Sequence, residues 1–274
     1  MLVRIITSVV GVAVMIPIMW FSDTYVFPVA LSALCVIALY EFFSCVKLKG
    51  KLFVTVPTYV LGAGMPFLCK YFGDFEKISS MICAIIFVYM IYLIICSVLF
   101  HKYCETNDLS TSFLFSLYII AGFSSIQLLR NLNDGILVVI AVLLAAWMTD
   151  IFAYFTGRFL GKHKLCETIS PKKTVEGSVG GIIFCVISFL IYSAVFMNKV
   201  MTPTGYLFMM LAGFILSVVS QFGDLAMSVV KRKYGVKDYG HIFPGHGGIL
   251  DRFDSILAVA PVFLMIILIT NAIL

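Results

Sequence analysis

The sequence predicts an all-α, polytopic membrane protein with about nine transmembrane helices. Of its 274 residues, 62% are hydrophobic and only 12% are charged, and the mean hydropathy is +1.08. A soluble domain of this length carries about 25% charged residues. Many runs reach the roughly 20 apolar residues that a helix needs to cross a bilayer. The chain lacks the repeated alternating segments of about ten residues that are typical of a transmembrane β-barrel.

The first four predicted spans cover 3–22, 24–46, 52–69 and 78–100. The third is the weakest of them, because prolines and glycines interrupt it at Pro57, Gly62, Gly64 and Pro66. Membrane helices tolerate such residues where neighbouring groups satisfy the backbone. We therefore keep this segment as a span.

The other five predicted spans are 109–129, 135–156, 178–197, 205–227 and 250–272. One long connection, at about 157–177, follows the sixth span, and another, at about 228–249, follows the eighth. Together they hold most of the polar residues. The remaining connections are short. The sequence thus predicts one integral membrane domain over 1–274, with its polar chemistry in the C-terminal half.

Lysine and arginine indicate the orientation. About 15 of the 19 lie at the N-terminus and in the even-numbered connections, and about four lie on the opposite side. Because positive residues concentrate in cytoplasmic loops, we expect the N-terminus and both long connections to be cytoplasmic. No basic tail or soluble basic domain is present, so nucleic acid is not an expected partner.

The first group of polar residues begins inside the sixth span. Asp150 lies near its cytoplasmic end, where an ionisable side chain costs about 2.5–3.5 kcal/mol and usually faces a partner or a polar cavity. Tyr154 follows on the same helical face, and Arg158 follows one turn later. A short basic turn is then predicted, with hydroxyls and lysines suited to phosphate oxygens: Ser170, Pro171, Lys172, Lys173 and Thr174. Anchoring by positive charge is the structural alternative for the lysines.

The second group surrounds the last connection. Asp224 and Ser228 are four residues apart on the eighth span, and Asp251 and Asp254 share a face at the start of the ninth. Between them lie charged residues at Lys231, Arg232, Lys237 and Asp238, and a glycine-rich loop over 244–248. The exposed N–H groups of such a loop can hold an anion. His246 lies in this loop, where both a substrate contact and a loop-ordering role are open.

These carboxylates and cations at one membrane depth predict a site for a metal-bound polyphosphate. Aspartates supply hard oxygen ligands for Mg²⁺, and two metal ions could clamp the attacking and leaving oxygens of an in-line displacement. Helix capping is an alternative for Asp251 but does not account for Asp150, Asp224 and Asp254. Glu41, near the cytoplasmic end of the second span, is interpreted as more structural than functional.

Two stretches resemble the CDP-diacylglycerol synthases, also called phosphatidate cytidylyltransferases. The resemblance runs from about 145 to 260 and is carried first by Asp150, Ala153, Tyr154, Gly157, Arg158, Gly161, Lys162 and 170–174. It is carried next by Ser228, Lys231, Arg232, Lys237, Asp238, Pro244, His246, Gly247, Gly248, Asp251, Arg252 and Asp254. The spans over 1–130 match this family in hydropathy alone.

The resemblance implies a reaction in which CTP and phosphatidic acid give CDP-diacylglycerol and pyrophosphate. It also implies dependence on Mg²⁺, leaves open a second, monovalent cation such as K⁺, and implies a homodimer in the cell (inner) membrane whose active site faces the cytoplasm. The catalytic region would be 145–260.

The resemblance also suggests roles for single residues. The expected metal ligands are Asp224 and Asp251, supported by Asp254 and Asp150. The expected catalytic residues further include Lys231, Arg232, Lys237, Asp238, His246 and Arg252. The expected substrate-binding residues are Ser170, Lys172, Lys173, Thr174, Tyr154, Arg158, Ser228, Gly247 and Gly248.

Three other functions are weighed against this one. A CDP-alcohol phosphotransferase would need D-G-x-x-A-R followed by further spaced aspartates, which the sequence lacks. A CTP-dependent lipid kinase would use similar polar groups but would attack the γ-phosphorus. A transporter would place its site near the bilayer midplane on broken, often repeated helices, whereas the charges of this chain gather toward one membrane face.

Overall fold

The structure, a computed structural model, describes residues 2–196, 203–242, 245 and 247–273. These residues contain nine helices and one two-stranded sheet. In chain order the elements are α1 (Leu2–Trp20), α2 (Val26–Cys45), α3 (Leu52–Phe72), α4 (Phe75–Leu99), α5 (Thr106–Asn131), α6 (Gly135–Leu160), β1 (Lys164–Cys166), β2 (Ser170–Thr174), α7 (Val175–Phe196), α8 (Pro203–Lys233) and α9 (Leu250–Ile273).

The predicted all-α, polytopic class is confirmed for the described residues. Eight helices, α2 to α9, are long and apolar enough to cross a membrane. The chain is therefore an integral membrane protein. The orientation of its N-terminus stays a prediction.

The small sheet was not predicted. Strand β1 pairs antiparallel with β2, with Lys164 opposite Thr174 and Cys166 opposite Ser170. The segment predicted as a short basic turn is thus strand β2. The backbone between α6 and α7 still requires hydrogen-bond partners, and the hairpin supplies them. Its strands lack the alternation of apolar and polar residues by which a strand is predicted from sequence.

Helix α8 continues beyond its predicted end at about 227. Its last turn contains Lys231, Arg232 and Lys233, and cations stabilise the negative end of the helix dipole. Hydropathy indicates where apolar sequence ends, whereas the backbone stays helical for another turn and a half. The cationic residues of the second polar group are therefore held on a helix.

The chain divides into two compact units. The first contains Met1–Asn133 and Tyr234–Phe253. In it α2, α3 and α5 pack against one another, and α4 packs against α3 and α5. Its fully buried core includes Phe42, Phe43 and Phe123. A hydrogen bond of 2.7 Å between Thr58 Oγ1 and Tyr89 Oη joins α3 to α4.

The second unit contains Asp134–Lys233 and Asp254–Leu274. Helix α6 packs most extensively against α7, which also packs against α8. Small residues permit this close approach, as is usual between membrane helices. A Cβ atom at Gly180 would lie 2.3 Å from Thr156 Oγ1, and one at Gly181 would lie 2.9 Å from the carbonyl oxygen of Thr149. The predicted catalytic region, 145–260, includes residues of both units, and the single-domain organisation stays a prediction.

Candidate functional site

In the second unit, α8 carries a polar face inside the membrane-spanning region. The face repeats at helical spacing and consists of Ser217, Ser220, Gln221, Asp224 and Ser228. Most of these side chains are buried. Ser217 Oγ accepts a hydrogen bond of 2.8 Å from Thr149 Oγ1 on α6, and Gln221 Nε2 donates to the carbonyl oxygen of Ser178 on α7 at 3.3 Å. The face therefore fixes α8 to its neighbours and aims Asp224 into the unit.

Asp224 forms an ion pair with a lysine of the hairpin. Its Oδ2 atom lies 2.5 Å from Lys173 Nζ, and each side chain is 25% exposed. Partial burial strengthens this attraction over that of a surface pair. The ion pair joins β2 to α8 and so ties the hairpin to the polar face.

Asp254 adds a second buried carboxyl group beside Asp224. It is 8% exposed, and the two carboxyl groups are within hydrogen-bonding reach of each other. Asp254 also interacts electrostatically with Lys231 and Asp150, and its Oδ1 accepts a bond of 2.8 Å from the backbone N–H of Ser255. These residues, with Lys173, are here named the charge cluster: Asp150, Asp224, Asp254, Lys173 and Lys231.

The charge cluster contains three carboxyl groups and two ammonium groups. Lys231 and Asp254 are buried, Lys173 and Asp224 are partly buried, and Asp150 is exposed. The four less exposed groups balance in charge when all are ionised, and solvent screens the exposed carboxylate. The adjacent carboxyl groups of Asp224 and Asp254 offer hard oxygen ligands that suit a cation.

A cavity of about 250 Å³ opens beside the cluster within the same unit. It combines cationic, hydroxyl and small residues: Asp150, Ala153, Tyr154, Gly157, Arg158, Leu165, Lys172, Lys173, Thr174, Gly177, Ser178 and Gln221. Arg158 Nη1 donates to Tyr154 Oη at 3.0 Å, which orients the guanidinium group. Three cationic side chains and one carboxylate around one cavity favour an anionic ligand such as a phosphate.

The hairpin that supplies the cavity lysines is held in place at both ends. Lys164 Nζ donates to the carbonyl oxygen of Pro171 at 2.8 Å, and Arg232 Nε donates to that of Ile169 at 3.2 Å. The carboxylate of Glu176 accepts bonds from the backbone N–H groups of Lys162 and His163 at 3.1 to 3.2 Å. The lysines of β2 are thus carried by a fixed backbone.

Thr174 lies so close to α6 and to the start of α7 that several neighbouring positions around the cavity need glycine. Its Oγ1 accepts a bond of 3.1 Å from the backbone N–H of Gly177 and so caps the start of α7. A Cβ atom at Gly157 or Gly161 would lie 2.8 Å from the same oxygen. Only glycine lets α6 pass this close to the cap.

In the first unit, the connection between α8 and α9 folds around two carboxylates. Asp251 Oδ2 accepts bonds from the backbone N–H groups of Tyr239, at 2.7 Å, and Gly248, at 3.0 Å. Glu41 accepts bonds from the backbone N–H groups of Ile249 and Leu250 at 3.1 and 2.8 Å. The described residues 239–242, 245 and 247–251 are here named the α9 loop, and both carboxylates hold it from within the unit.

The structure brings some predicted site residues together and leaves others on the surface. The residues of the charge cluster and cavity form one group in the second unit. In the first unit Asp251 contacts Gly248, and Gly247 adopts the positive φ of +87° that suits glycine. Outside the charge cluster and the cavity, the exposed predicted residues among those that the structure describes are Arg232, Lys237, Asp238 and Arg252. Ser170 is half-buried in β2, and Ser228 Oγ lies 3.5 Å from Asp224 Oδ1. His246 lies outside the described residues.

The donor set can be tested against the expected Mg²⁺. No group of three or more His, Cys, Asp or Glu side chains within the described part of the chain is arranged to hold a metal ion. Mg²⁺ usually binds one or two carboxylates and completes its shell with water and substrate phosphates. The neighbouring carboxyl groups of Asp224 and Asp254 fit that pattern. Asp251 uses one oxygen for two backbone N–H groups, and its role as a ligand stays a prediction.

Sequence reasoning missed several residues of these sites. Glu41 was assigned a structural role, but its partners in the α9 loop were not foreseen. Gln221 and Ser178 line the cavity without any motif that marks them. Glu176 lies two residues after the predicted basic segment 170–174. Its carboxylate accepts hydrogen bonds from the backbone before the hairpin, and the hairpin itself was not predicted.

The chain is similar in sequence to a known family and to named bacterial proteins. The model of a family described as the cytidylyltransferase family matches residues 2–270. A protein named phosphatidate cytidylyltransferase from Bacillus subtilis (strain 168) is 38% identical over 240 residues, which cover 86% of this chain and 86% of that protein. Proteins of the same name from Staphylococcus haemolyticus (strain JCSC1435) and Staphylococcus aureus (strain COL) are 35% and 33% identical, each over 95% of this chain and 96% of its own length.

Proposed function

The chain belongs to the cytidylyltransferase family, and from this premise we propose that it transfers the cytidylyl group of CTP to phosphatidic acid. The products would be CDP-diacylglycerol, for phospholipid synthesis, and pyrophosphate. It is an enzyme of the nucleotidyltransferase class. The observation that carries the proposal is similarity over most of the chain to proteins named for this reaction.

The proposed step is an in-line displacement. An ionised phosphate oxygen of phosphatidic acid forms a bond to the α-phosphorus of CTP. The bond from that phosphorus to the oxygen bridging the β-phosphorus breaks, and pyrophosphate leaves with the electron pair. The nucleophile is already anionic, so no serine or cysteine nucleophile is needed. The reaction depends instead on alignment and charge neutralisation.

The cavity of the second unit suits that requirement. Lys172 and Arg158 line it and would neutralise phosphate oxygens of a bound substrate. Tyr154 holds the guanidinium group of Arg158 by a hydrogen bond, which reduces the entropy lost when a phosphate binds. Lys173 also faces the cavity while paired with Asp224.

We propose that Mg²⁺ is the cofactor and that Asp224 and Asp254 hold it. When bound, the ion supplies positive charge to phosphate oxygens that the lysines do not reach. The proximity of the two carboxyl groups and the preference of Mg²⁺ for carboxylate oxygens support this assignment. Asp150 and Asp251 as further ligands, and a second, monovalent ion such as K⁺, stay predictions.

We also propose that the protein lies in the cell membrane with its site toward the cytoplasm. The distribution of lysine and arginine supports this orientation, and it would let CTP arrive from the cytosol while the lipid stays in its leaflet. A homodimer is proposed on the resemblance alone, and native mass spectrometry of the purified protein would reveal its subunit number.

The reaction can be tested with the purified protein in detergent and Mg²⁺. We expect pyrophosphate release that requires both CTP and phosphatidic acid, and CDP-diacylglycerol as the lipid product. Asp224→Asn should lower the rate by about 100-fold or more, because it removes a charged group that holds Lys173 and the proposed ion. Asp74→Asn changes a surface aspartate that is 65% exposed and should leave the rate unchanged.

Other products would contradict the proposal. Formation of CDP with a phosphorylated lipid would indicate the lipid kinase instead. A full rate in Asp224→Asn would remove this aspartate from the site while leaving the reaction itself in place.

A further inference from the structure

We propose that Glu41 is a positioning residue that holds the α9 loop in the conformation required for turnover. Glu41 lies on α2, about 200 residues from this loop in the chain. The proposal rests on the proposed function, since turnover is read as cytidylyl transfer. The contacts on which it depends all lie within the first unit.

Both oxygens of the Glu41 carboxylate accept hydrogen bonds inside the protein. The residue is 3% exposed, so it does not extend to the membrane surface as a solvated side chain would. Its Oε1 accepts a bond of 3.1 Å from the N–H of Ile249, and its Oε2 accepts one of 2.8 Å from the N–H of Leu250. These groups begin α9 and have no acceptor within that helix. Glu41 therefore acts as a long-range cap for α9.

Two glycines show that the loop backbone lies directly against this carboxylate. A Cβ atom at Gly240 would be 2.2 Å from Glu41 Oε1, and one at Gly248 would be 2.4 Å from it. Both distances are far shorter than any real contact of a Cβ atom. The α9 loop thus packs around Glu41 from both of its ends, and no other residue type fits at either position without a shift.

Asp251 completes the arrangement from within the loop. Its Oδ2 joins the N–H groups of Tyr239 and Gly248, so the beginning and end of the loop are tied together. Gly248 contacts both carboxylates. Any movement of the loop away from Glu41 would consequently move Asp251 and its neighbour Arg252, which are predicted to act on the substrates. Glu41 would affect the reaction through these residues, without touching a substrate.

The first test is Glu41→Gln in the full-length protein. The amide keeps one acceptor oxygen. It also places an NH₂ group, which is a donor, against a backbone N–H that cannot accept a hydrogen bond. We expect kcat to fall by about 10-fold, while KM for CTP changes by less than about 3-fold. Hydrogen–deuterium exchange should accelerate in peptides covering 239–251 and stay unchanged in α6 to α8.

A matched control lies on the same helix. Ser32 is buried, and its Oγ donates a bond of 2.7 Å to the carbonyl oxygen of Ala63. Ser32→Ala removes a buried hydrogen bond from α2 without changing the loop. It should leave both kcat and the exchange of 239–251 as in the wild type.

A second pair of variants tests the contact from the side of the loop. Gly240→Ala adds a methyl group that collides with the carboxylate and should reproduce the kinetic and exchange effects of Glu41→Gln. Combining it with Glu41→Ala removes the collision, so the double variant should lose less than the two single losses combined. This coupling keeps the proposal testable if Glu41→Gln fails to fold.

The outcomes separate this inference from the reaction itself. Unchanged exchange over 239–251 in Glu41→Gln, or accelerated exchange with an unchanged kcat, would overturn the positioning role. Additive losses in the double variant would also overturn it. An inactive wild type would refute the proposed reaction, whereas the exchange and coupling measurements would still decide whether Glu41 orders the loop.

Discussion

Lys172 and Lys173 are adjacent in β2 yet have different surroundings. Lys173 is paired with Asp224 at 2.5 Å, while Lys172 is exposed and lines the cavity. Both side chains line the cavity. Lys173 is held by its ion pair with Asp224, whereas Lys172 is available for a ligand of the cavity.

Lys172→Met should weaken catalysis by removing a cation that neutralises phosphate. We expect kcat/KM to fall by about 10- to 100-fold, the usual loss for one charged hydrogen bond. The measurement is steady-state pyrophosphate release with CTP and phosphatidic acid varied in turn. The substrate whose KM rises identifies the phosphate that this lysine contacts.

Lys162→Met is the matched control for that variant. Lys162 is an exposed cation in the same connection and is not among the residues that line the cavity. Its kinetics should match those of the wild type. Equal losses in both variants would show that general positive charge, and not the cavity, is responsible.

Single residues differ in how well their sequence context predicted them. Asp150 and Asp224 were found because a carboxylate inside an apolar run has few structural explanations. Glu41 has the same local context, but its partners lie 208 and 209 residues away. No spacing rule connects such distant positions, so its role required the tertiary structure.

At the scale of elements, the approach of α6 to α7 depends on glycine. A Cβ atom at Gly177 would lie 2.6 Å from the carbonyl oxygen of Ala153 and 3.1 Å from Gly157 Cα. These are backbone atoms and cannot rotate away. The two helices bring Tyr154 and Arg158 beside strand β2, so their separation determines the width of the cavity.

Gly177→Ala should therefore force α6 and α7 apart. We expect the free energy of unfolding to fall by about 1–3 kcal/mol, as in other overpacked interiors, with a loss of activity. Thermal unfolding in detergent and the pyrophosphate assay measure the two effects. Gly64→Ala on α3 is the control: a Cβ atom there meets nothing within 4 Å, so the stability should be unchanged or slightly raised.

The elements were predicted unequally well. The apolar runs identified the spans because the bilayer requires that composition. Helix ends were less accurate, since α8 continues through Lys231, Arg232 and Lys233. The hairpin between α6 and α7 was not predicted because its strands are only three and five residues long and show no apolar alternation.

At the scale of the whole molecule, the charge distribution predicts a definite orientation. A chain whose eight cysteines are replaced can carry single new ones at Lys162→Cys or Asp74→Cys. In intact cells, a membrane-impermeant maleimide should label the second position and leave the first unlabelled until the membrane is opened. The reverse pattern would place the N-terminus and the proposed site on the outer side.

The long-range cap on α9 also has a consequence for biogenesis. Glu41 enters the membrane with α2, but its partners at Ile249 and Leu250 are synthesised 208 and 209 residues later. At about 5–20 residues per second this interval lasts about 10–40 s. During this interval the carboxyl group of Glu41 lies in a nascent span without its final hydrogen bonds. A chain cut short before residue 249 keeps that defect permanently, which gives cellular proteolysis a physical basis for distinguishing incomplete copies from finished ones.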